Sequence, residues 1–277
     1  MSLMSKLLIS TLAISTIVSA NVQPSAEDLL IYVKKNVVKN PQVTVKKINI
    51  IESKTHKDLP GWNILLTNMD IEYQKKEIHA PETMFVKDGL ITGSLINLKT
   101  GENYKETIKP SVLFSMYDDA HLLFGNKDAK HKVLIFSDPQ CPFCQDVVPK
   151  IFTASKENPS KLAVYYYHLP LLRIHPVSDV LTRVMHVAQE EGNLDVVEKI
   201  YSLKIKAQET NTTTILAAVK KHTGYSVSEE KIDAEETKKA LKADEVTSSR
   251  MMVSGTPTIY IDGEWDKSRI KYLELLK

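Results

Sequence analysis

Cys141 and Cys144 are the two residues of this chain whose type and spacing suggest chemistry. They sit in Phe136–Cys144, FSDPQCPFC, and they are the only cysteines among 277 residues. Any disulfide within the chain therefore closes a four-residue loop. A structural cross-link draws its stabilisation from longer loops, about 3 kcal/mol at 15 residues, so a staple here would contribute little. A zinc site would need two further ligands, and the sequence has no second CxxC or finger-spaced histidine pair. The pattern reads as a redox-active dithiol, with two small buried thiols as the bland alternative.

The flanking elements decide which thiol is reactive. Val133–Phe136 is a short apolar run of the kind that forms a buried strand, and Gln145–Phe152 continues as a helix. Pro142 then falls at the first helical position, where its missing N–H costs nothing. Cys141 stands at the junction, facing unpaired helix amides and the positive end of the helix dipole, which both favour a thiolate. Its expected pKa lies below the free-thiol value of about 8.5. Pro142 and Phe143, between the cysteines, are expected to tune that thiolate through local polarity and hydrogen bonding.

Away from this stretch the composition is ordinary. A net charge of +2 with 25% charged residues points to neither nucleic acid nor an anionic membrane. Residues 1–20 combine Lys6, an apolar core from Leu7 to Val18, and Ser19-Ala20. This predicts a signal peptide cleaved after Ala20. The apolar core is shorter than the ~20 residues a membrane anchor needs. Export places the mature protein where disulfides persist.

Residues 21–110 read as a small α+β domain. Ser25 caps a helix with Glu27 and Asp28 in its first turn. Alternating apolar residues follow in Val43–Ile51 and Trp62–Leu66, and Asp88-Gly89 marks a tight hairpin between Phe85-Val86 and Leu90-Ile91. His56 and His79 lack partners in sequence and read as surface residues. Residues 111–130 are expected to be a helical linker. From 131 to 277 the order is strand 133–137, CxxC, helix 142–156 and strand 162–167. A helical insertion over about 176–252 follows, with Gly192 and Gly224 as helix stops. Val253–Pro257 leads into a last strand, and a short helix with Ile270, Leu273 and Leu276 ends the chain. This order describes a thioredoxin-like fold.

The CPFC motif, Pro149 eight residues beyond Cys141 and Gly255-Thr256-Pro257 before the last long strand are features that thioredoxin-fold oxidoreductases carry. With the N-terminal leader, the α+β domain and its VKDGLITG hairpin, and the stretch from His168-Leu169-Pro170 to His175-Pro176, the chain resembles the DsbC/DsbG group of periplasmic thiol:disulfide interchange proteins. The resemblance spans nearly all of the mature chain. One departure is visible: Ile135 stands six residues before Cys141, where thioredoxin and DsbA carry a buried acid.

The resemblance implies an α+β N-terminal dimerisation domain beside an α/β thioredoxin-like catalytic domain with a helical insertion. It implies a homodimer joined through the N-terminal domain, with Cys141 as nucleophile and Cys144 as resolving thiol. Thr256 and a cis Pro257 would bind substrate backbone across from the CxxC. No cofactor is implied beyond the redox-active Cys141–Cys144 disulfide, and no metal. Implied partners are misfolded or reduced exported proteins and a membrane redox partner, either a DsbD-like reductant or a DsbB-like oxidant. Disulfide isomerisation, with chaperone action in the cleft between protomers, is the leading expectation. A dimeric DsbA-like oxidase is the alternative, and a copper-delivery protein of the same fold a more distant one.

Overall fold

The computed structural model of the chain describes residues 23–277. The expected signal peptide lies outside them. Two β-sheets organise these residues.

The first sheet has four antiparallel strands in the order β1-β2-β3-β4: β1 is Val43–Lys54, β2 Asn63–Tyr73, β3 Lys76–Lys87 and β4 Leu90–Thr92. Helix α1, Ala26–Tyr32, begins in a capping box between Ser25 and Asp28 and continues as one π-turn over Val33–Val37. Its buried Leu29 and Val33 pack on Val45, Ile48, Leu65, Met84 and Val86 of the sheet. The β3–β4 hairpin turns on Asp88 and Gly89, both at positive φ, as the Asp-Gly signal predicts. The opposite face of the sheet covers Ile64, Leu66 and Phe85 with Leu59, Tyr104 (in the short helix α2, Tyr104–Thr107), Ile108 and Met252.

Residues 111–130 do not form the expected helical linker. Among them are one 3-10 turn, Phe114–Met116, and strand β5, Leu122–Phe124. The apolar set Leu122-Leu123-Phe124 was compatible with either period, and pairing against another strand decided it. Gly125 permits the close approach: at φ +82° its Cα faces the Leu162 carbonyl so tightly that an added Cβ would lie 2.0 Å from that oxygen.

The second sheet runs β5-β7-β6-β8-β9. Here β6 is His131–Ser137, β7 Leu162–His168, β8 Thr258–Ile261 and β9 Glu264–Trp265. Strands β6 and β7 are parallel and β6 and β8 antiparallel, with Phe136 opposite both Tyr167 and Thr258. The parallel pair is joined by helix α3, Pro142–Glu157, which buries Val148, Ile151 and Phe152 against the sheet. Both central strands are nearly continuous apolar runs, as burial on two faces requires.

Between β7 and β8 lie five helices: α4 Ser178–Glu190, α5 Leu194–Ile200, α6 Thr212–Thr223, α7 Glu229–Ile232 and α8 Glu235–Arg250. Gly192 and Gly224 follow α4 and α6 at positive φ. Helix α4 carries Val180, Leu181, Val184, Met185, Val187 and Ala188 into the core that also buries Cys144. The insertion is therefore continuous with the packing around the thiol pair. The C-terminal segment is a 3-10 helix, Lys271–Leu276.

Candidate active site

Cys141 is the N-cap of α3, Pro142 is its first residue and the Gln145 amide bonds the Cys141 carbonyl at 3.0 Å. Both cysteines are thiols in this structure. Cys141 is 6% exposed at the rim, while Cys144, one turn inward, is fully buried. The Thr256–Pro257 peptide bond is cis, as the resemblance implies. Thr256 faces the thiols from across the chain, its carbonyl oxygen 3.4 Å from the Cys141 sulfur. The structure thus brings Cys141, Cys144 and Thr256-Pro257 together. Phe143 is different: it projects into solvent, with Arg269 above its ring at 5.6 Å.

The two thiols are electrostatically unequal. The Cys141 pKa falls to about 5, chiefly because the Cys144 S–H donates to it, aided by the Thr256 side chain and the Cys144 and Phe143 amides, and opposed by burial. Burial drives the Cys144 thiol far upward, and its bond to Cys141 adds to that. The Thr256 hydroxyl is buried without a hydrogen-bond partner, close enough to the thiols to help hold the Cys141 pKa down. A nucleophilic thiolate at the rim above a neutral, shielded second thiol is the arrangement that attack followed by resolution requires.

Two groups that sequence reasoning left out complete the site. Asp138, three residues before Cys141, is fully buried. Its carboxylate accepts from the Gln140 amide (2.8 Å), Ser178 Oγ (2.6 Å) and the Leu171 amide (2.9 Å), and meets His175 Nδ1 at 2.8 Å. These contacts tie the turn before Cys141 to the loop after β7 and to α4. His175 holds that loop in place through its contact with Asp138. The acid was visible within FSDPQCPFC, but three of its four partners lie 33 to 40 residues away.

The second group is a set of hydroxyls beneath Cys144. Ser137 Oγ lies 2.7 Å from Tyr201 Oη, which lies 2.7 Å from Tyr166 Oη, all buried. Ile135, six residues before Cys141, is simply core. His168 is also buried. Burial holds its imidazole neutral, its ring packs edge-on against Tyr166, and its amide donates to Asp244 at 2.8 Å.

An open groove of about 850 Å³ runs between residues 168–174 and helices α4 and α8. Leu169, Leu171, Leu172 and Ile174 line it, and it reaches Ser254, two residues from Thr256.

The family model described as Thioredoxin matches residues 118–277. Among solved structures, BdbD from Bacillus subtilis is 18% identical with a TM-score of 0.48, over 61% of this chain and 98% of that one. The catalytic domain of Proteus mirabilis ScsC is 22% identical with a TM-score of 0.45, over 58% and 93%. A thioredoxin-like oxidoreductase from Silicibacter pomeroyi is 19% identical with a TM-score of 0.44, over 57% and 91%. No curated protein matches the chain.

Proposed function

This chain belongs to the thioredoxin family, and on that premise we propose that it is an exported thiol–disulfide oxidoreductase that reshuffles or reduces disulfides of other exported proteins. The observation that carries the reading is the Cys141 thiolate at a helix N-terminus, with the neutral Cys144 thiol behind it and Thr256-Pro257 alongside.

In the first step the Cys141 thiolate attacks one sulfur of a substrate disulfide. A Cys141–substrate disulfide forms, and the second substrate sulfur leaves as a thiolate and takes up a proton. A substrate thiol can then attack the mixed disulfide, which frees Cys141 with the substrate bond rearranged. Alternatively Cys144 attacks the Cys141 sulfur, releasing reduced substrate and leaving a Cys141–Cys144 disulfide. The first route is isomerisation and the second reduction. Substrate enters as an extended segment along the Thr256 backbone, an edge-pairing mode tolerant of sequence. Its apolar side chains lie on exposed Phe143 and in the groove that reaches Ser254.

The isomerase-type reading adds three elements that the resemblance to the DsbC/DsbG group supports: a homodimer through the N-terminal domain, a cleft between protomers with chaperone action, and a DsbD-like membrane reductant. Residues 1–20 would direct the chain to the periplasm. A second reading, a DsbA-like oxidase served by a DsbB-like oxidant, draws support from the low Cys141 pKa. A stabilised thiolate favours the reduced form and so makes the disulfide an eager oxidant.

Trapping the thiol state in cells with an acid quench and an alkylating mass tag separates the two. Mostly reduced Cys141/Cys144 supports the isomerase or reductase, and mostly oxidised supports the oxidase.

A further inference from the structure

One charged group at the CPFC motif has no part in the exchange of sulfurs. Phe143, between the two cysteines, is 64% exposed, and the Arg269 guanidinium sits over its ring at 5.6 Å from the centroid. A cation at that distance is attracted by the negative face of the ring. The turn that carries Arg269 is firmly built. The buried Asp266 carboxylate accepts from the Ser268 amide (2.9 Å), the Ser268 hydroxyl (2.5 Å) and the Lys271 amide (3.0 Å). The Arg269 amide donates to the Asp266 carbonyl at 3.3 Å. Within this turn Arg269 holds φ +63°, a left-handed conformation that a residue with a long side chain rarely adopts. Tyr272 then anchors the segment in the core that also buries Val148 and Ile151 of α3.

The charge of Arg269 is unanswered. Among the described residues no carboxylate pairs with its guanidinium and its side chain donates no hydrogen bond, so Phe143 is what it rests on. Arg183, by contrast, is held by Asp179 and Asp233, and Arg250 donates to the Ser111 carbonyl. The acids close in sequence are engaged: Asp146 of α3 pairs with Lys150 at 2.7 Å, and Asp266 is filled by its own turn. The Cys141 thiolate, for its part, is held chiefly by Cys144, Thr256 and two amides. Lys267 and Lys271 on the same turn are exposed, so the local charge is positive. A guanidinium resting on a ring still has a planar fork of N–H donors, the shape that takes a carboxylate through two parallel bonds.

We propose that Arg269, held over Phe143, is a specificity-determining residue for the disulfide exchange, and that it pairs with an acidic side chain flanking the substrate cysteine. The inference rests on the dithiol reading above. Reach supports it. Cys141 and Phe143 are two residues apart, so their Cα atoms lie within about 7 Å, and an extended substrate advances about 3.3–3.6 Å per residue. One flank of the cysteine joined to Cys141 therefore comes level with Phe143 within about three residues. The sulfur chemistry is unaltered: the Cys141 sulfur bonds the substrate sulfur, and the second substrate sulfur leaves with the electron pair and takes up a proton. Arg269 acts before that step, by favouring encounters in which an acid-flanked cysteine is lined up with the thiolate. A neutral neighbour gains the apolar contact with Phe143 but no pairing, and a lysine there is repelled. Because the pair forms at the surface, its effect is modest and salt weakens it.

The test uses the reduced full-length protein and short peptides that differ only in the residues on either side of a single cysteine: glutamate, glutamine or lysine. Each cysteine carries a thiopyridyl group in a mixed disulfide, which gives an uncharged leaving group. Attack by Cys141 on the peptide sulfur releases thiopyridone, whose absorbance gives the rate. Dividing by the rate of β-mercaptoethanol with the same peptide removes intrinsic differences between them. The wild-type protein is expected to prefer the glutamate to the glutamine peptide about threefold at low salt, the size an exposed charge pair supports. It should react most slowly with the lysine peptide, and the preference should fade at high salt. Arg269→Met, which keeps an unbranched stem without the charge, is expected to bring the glutamate-to-glutamine ratio to about one. Arg269→Lys should keep part of it, since charge survives without the planar fork, and Phe143→Leu should lower it by removing the ring beneath the guanidinium. The wild-type comparison needs no variant, so it stands even where a substitution unsettles the turn. No fast release from any peptide at neutral pH would sink the dithiol reading beneath. With fast release present, equal wild-type rates for glutamate and glutamine would overturn the proposal. So would a wild-type ratio retained in Arg269→Met, including the case where both peptides slow together, because that is what general loosening of the site produces.

Discussion

The Cys141 sulfur lies 3.4 Å from the carbonyl oxygen of Thr256, a residue 115 positions further along the chain. That closure, between the start of α3 and the approach to β8, makes a helix terminus into a site. It gives the nucleophile a backbone wall along which an extended substrate can lie, and it brings a buried hydroxyl without a hydrogen-bond partner close to the thiols.

Removing Cys144 should have two separable effects. Cys144→Ala is expected to accumulate mixed disulfides between Cys141 and substrate proteins, seen as high-mass bands on non-reducing gels that reductant abolishes. It should also raise the Cys141 pKa from about 5, because the Cys144 S–H is the largest influence holding it down. Absorbance of the thiolate against pH measures this directly. Unchanged titration in that variant would mean that the helix amides alone set the pKa.

Stability of the reduced protein should depend on pH in a defined window. Cys141 has a lower pKa folded, about 5, than the value near 8.5 it has unfolded. Its contribution is therefore complete above about 8.5 and lost as pH falls toward 5. Cys144 shifts the other way, so its contribution is complete below about 8.5 and lost above it. Urea unfolding of reduced and oxidised protein, compared across pH, should give a difference that rises between pH 5 and 8.5, by about 4 kcal/mol. It should decline again above that. A difference independent of pH would contradict the assigned thiolate.

Much of this was legible from residue types. CPFC between an apolar strand and a helix located the nucleophile, Asp88-Gly89 located a hairpin, and Ser25 with Asp28 located a helix start. What could not be read depends on partners distant in sequence. The β2–β3 hairpin turns on Gln74 and Lys75, both at positive φ, and neither is a usual residue for that conformation. The Leu122–Phe124 strand looked like linker because its pairing partner, β7, lies some 40 residues away. Asp138 stood in plain view, but a carboxylate is a core residue only when donors surround it, and Leu171, His175 and Ser178 are brought there by the fold.

The buried carboxylate gives the next expectation. Asp138→Ala would leave the Ser178 hydroxyl, His175 and two amides without their acceptor. Loss of one partner from a buried charged cluster costs about 3–5 kcal/mol. Thermal unfolding should show a large drop in midpoint, and His175→Ala a drop of similar origin. Disulfide exchange should weaken as well, since this cluster anchors the turn that presents Cys141. A stable Asp138→Ala protein would show that the cluster is not what holds that turn.

Dimerisation is open to a direct check. Sedimentation equilibrium of the chain lacking residues 1–20 should give a dimer at micromolar concentration. A monomer would remove the isomerase-type architecture and leave the oxidase reading stronger.

The central claim is that Cys141 is the thiolate nucleophile and Cys144 its shielded partner. The most direct measurement is the pH dependence of iodoacetamide alkylation of the reduced wild-type protein, with the modified residue located by mass spectrometry. The account predicts that Cys141 is alkylated with a midpoint near pH 5, while Cys144 stays unmodified through neutral pH. Equal modification of both cysteines, with a midpoint near the free-thiol value of about 8.5, would contradict it.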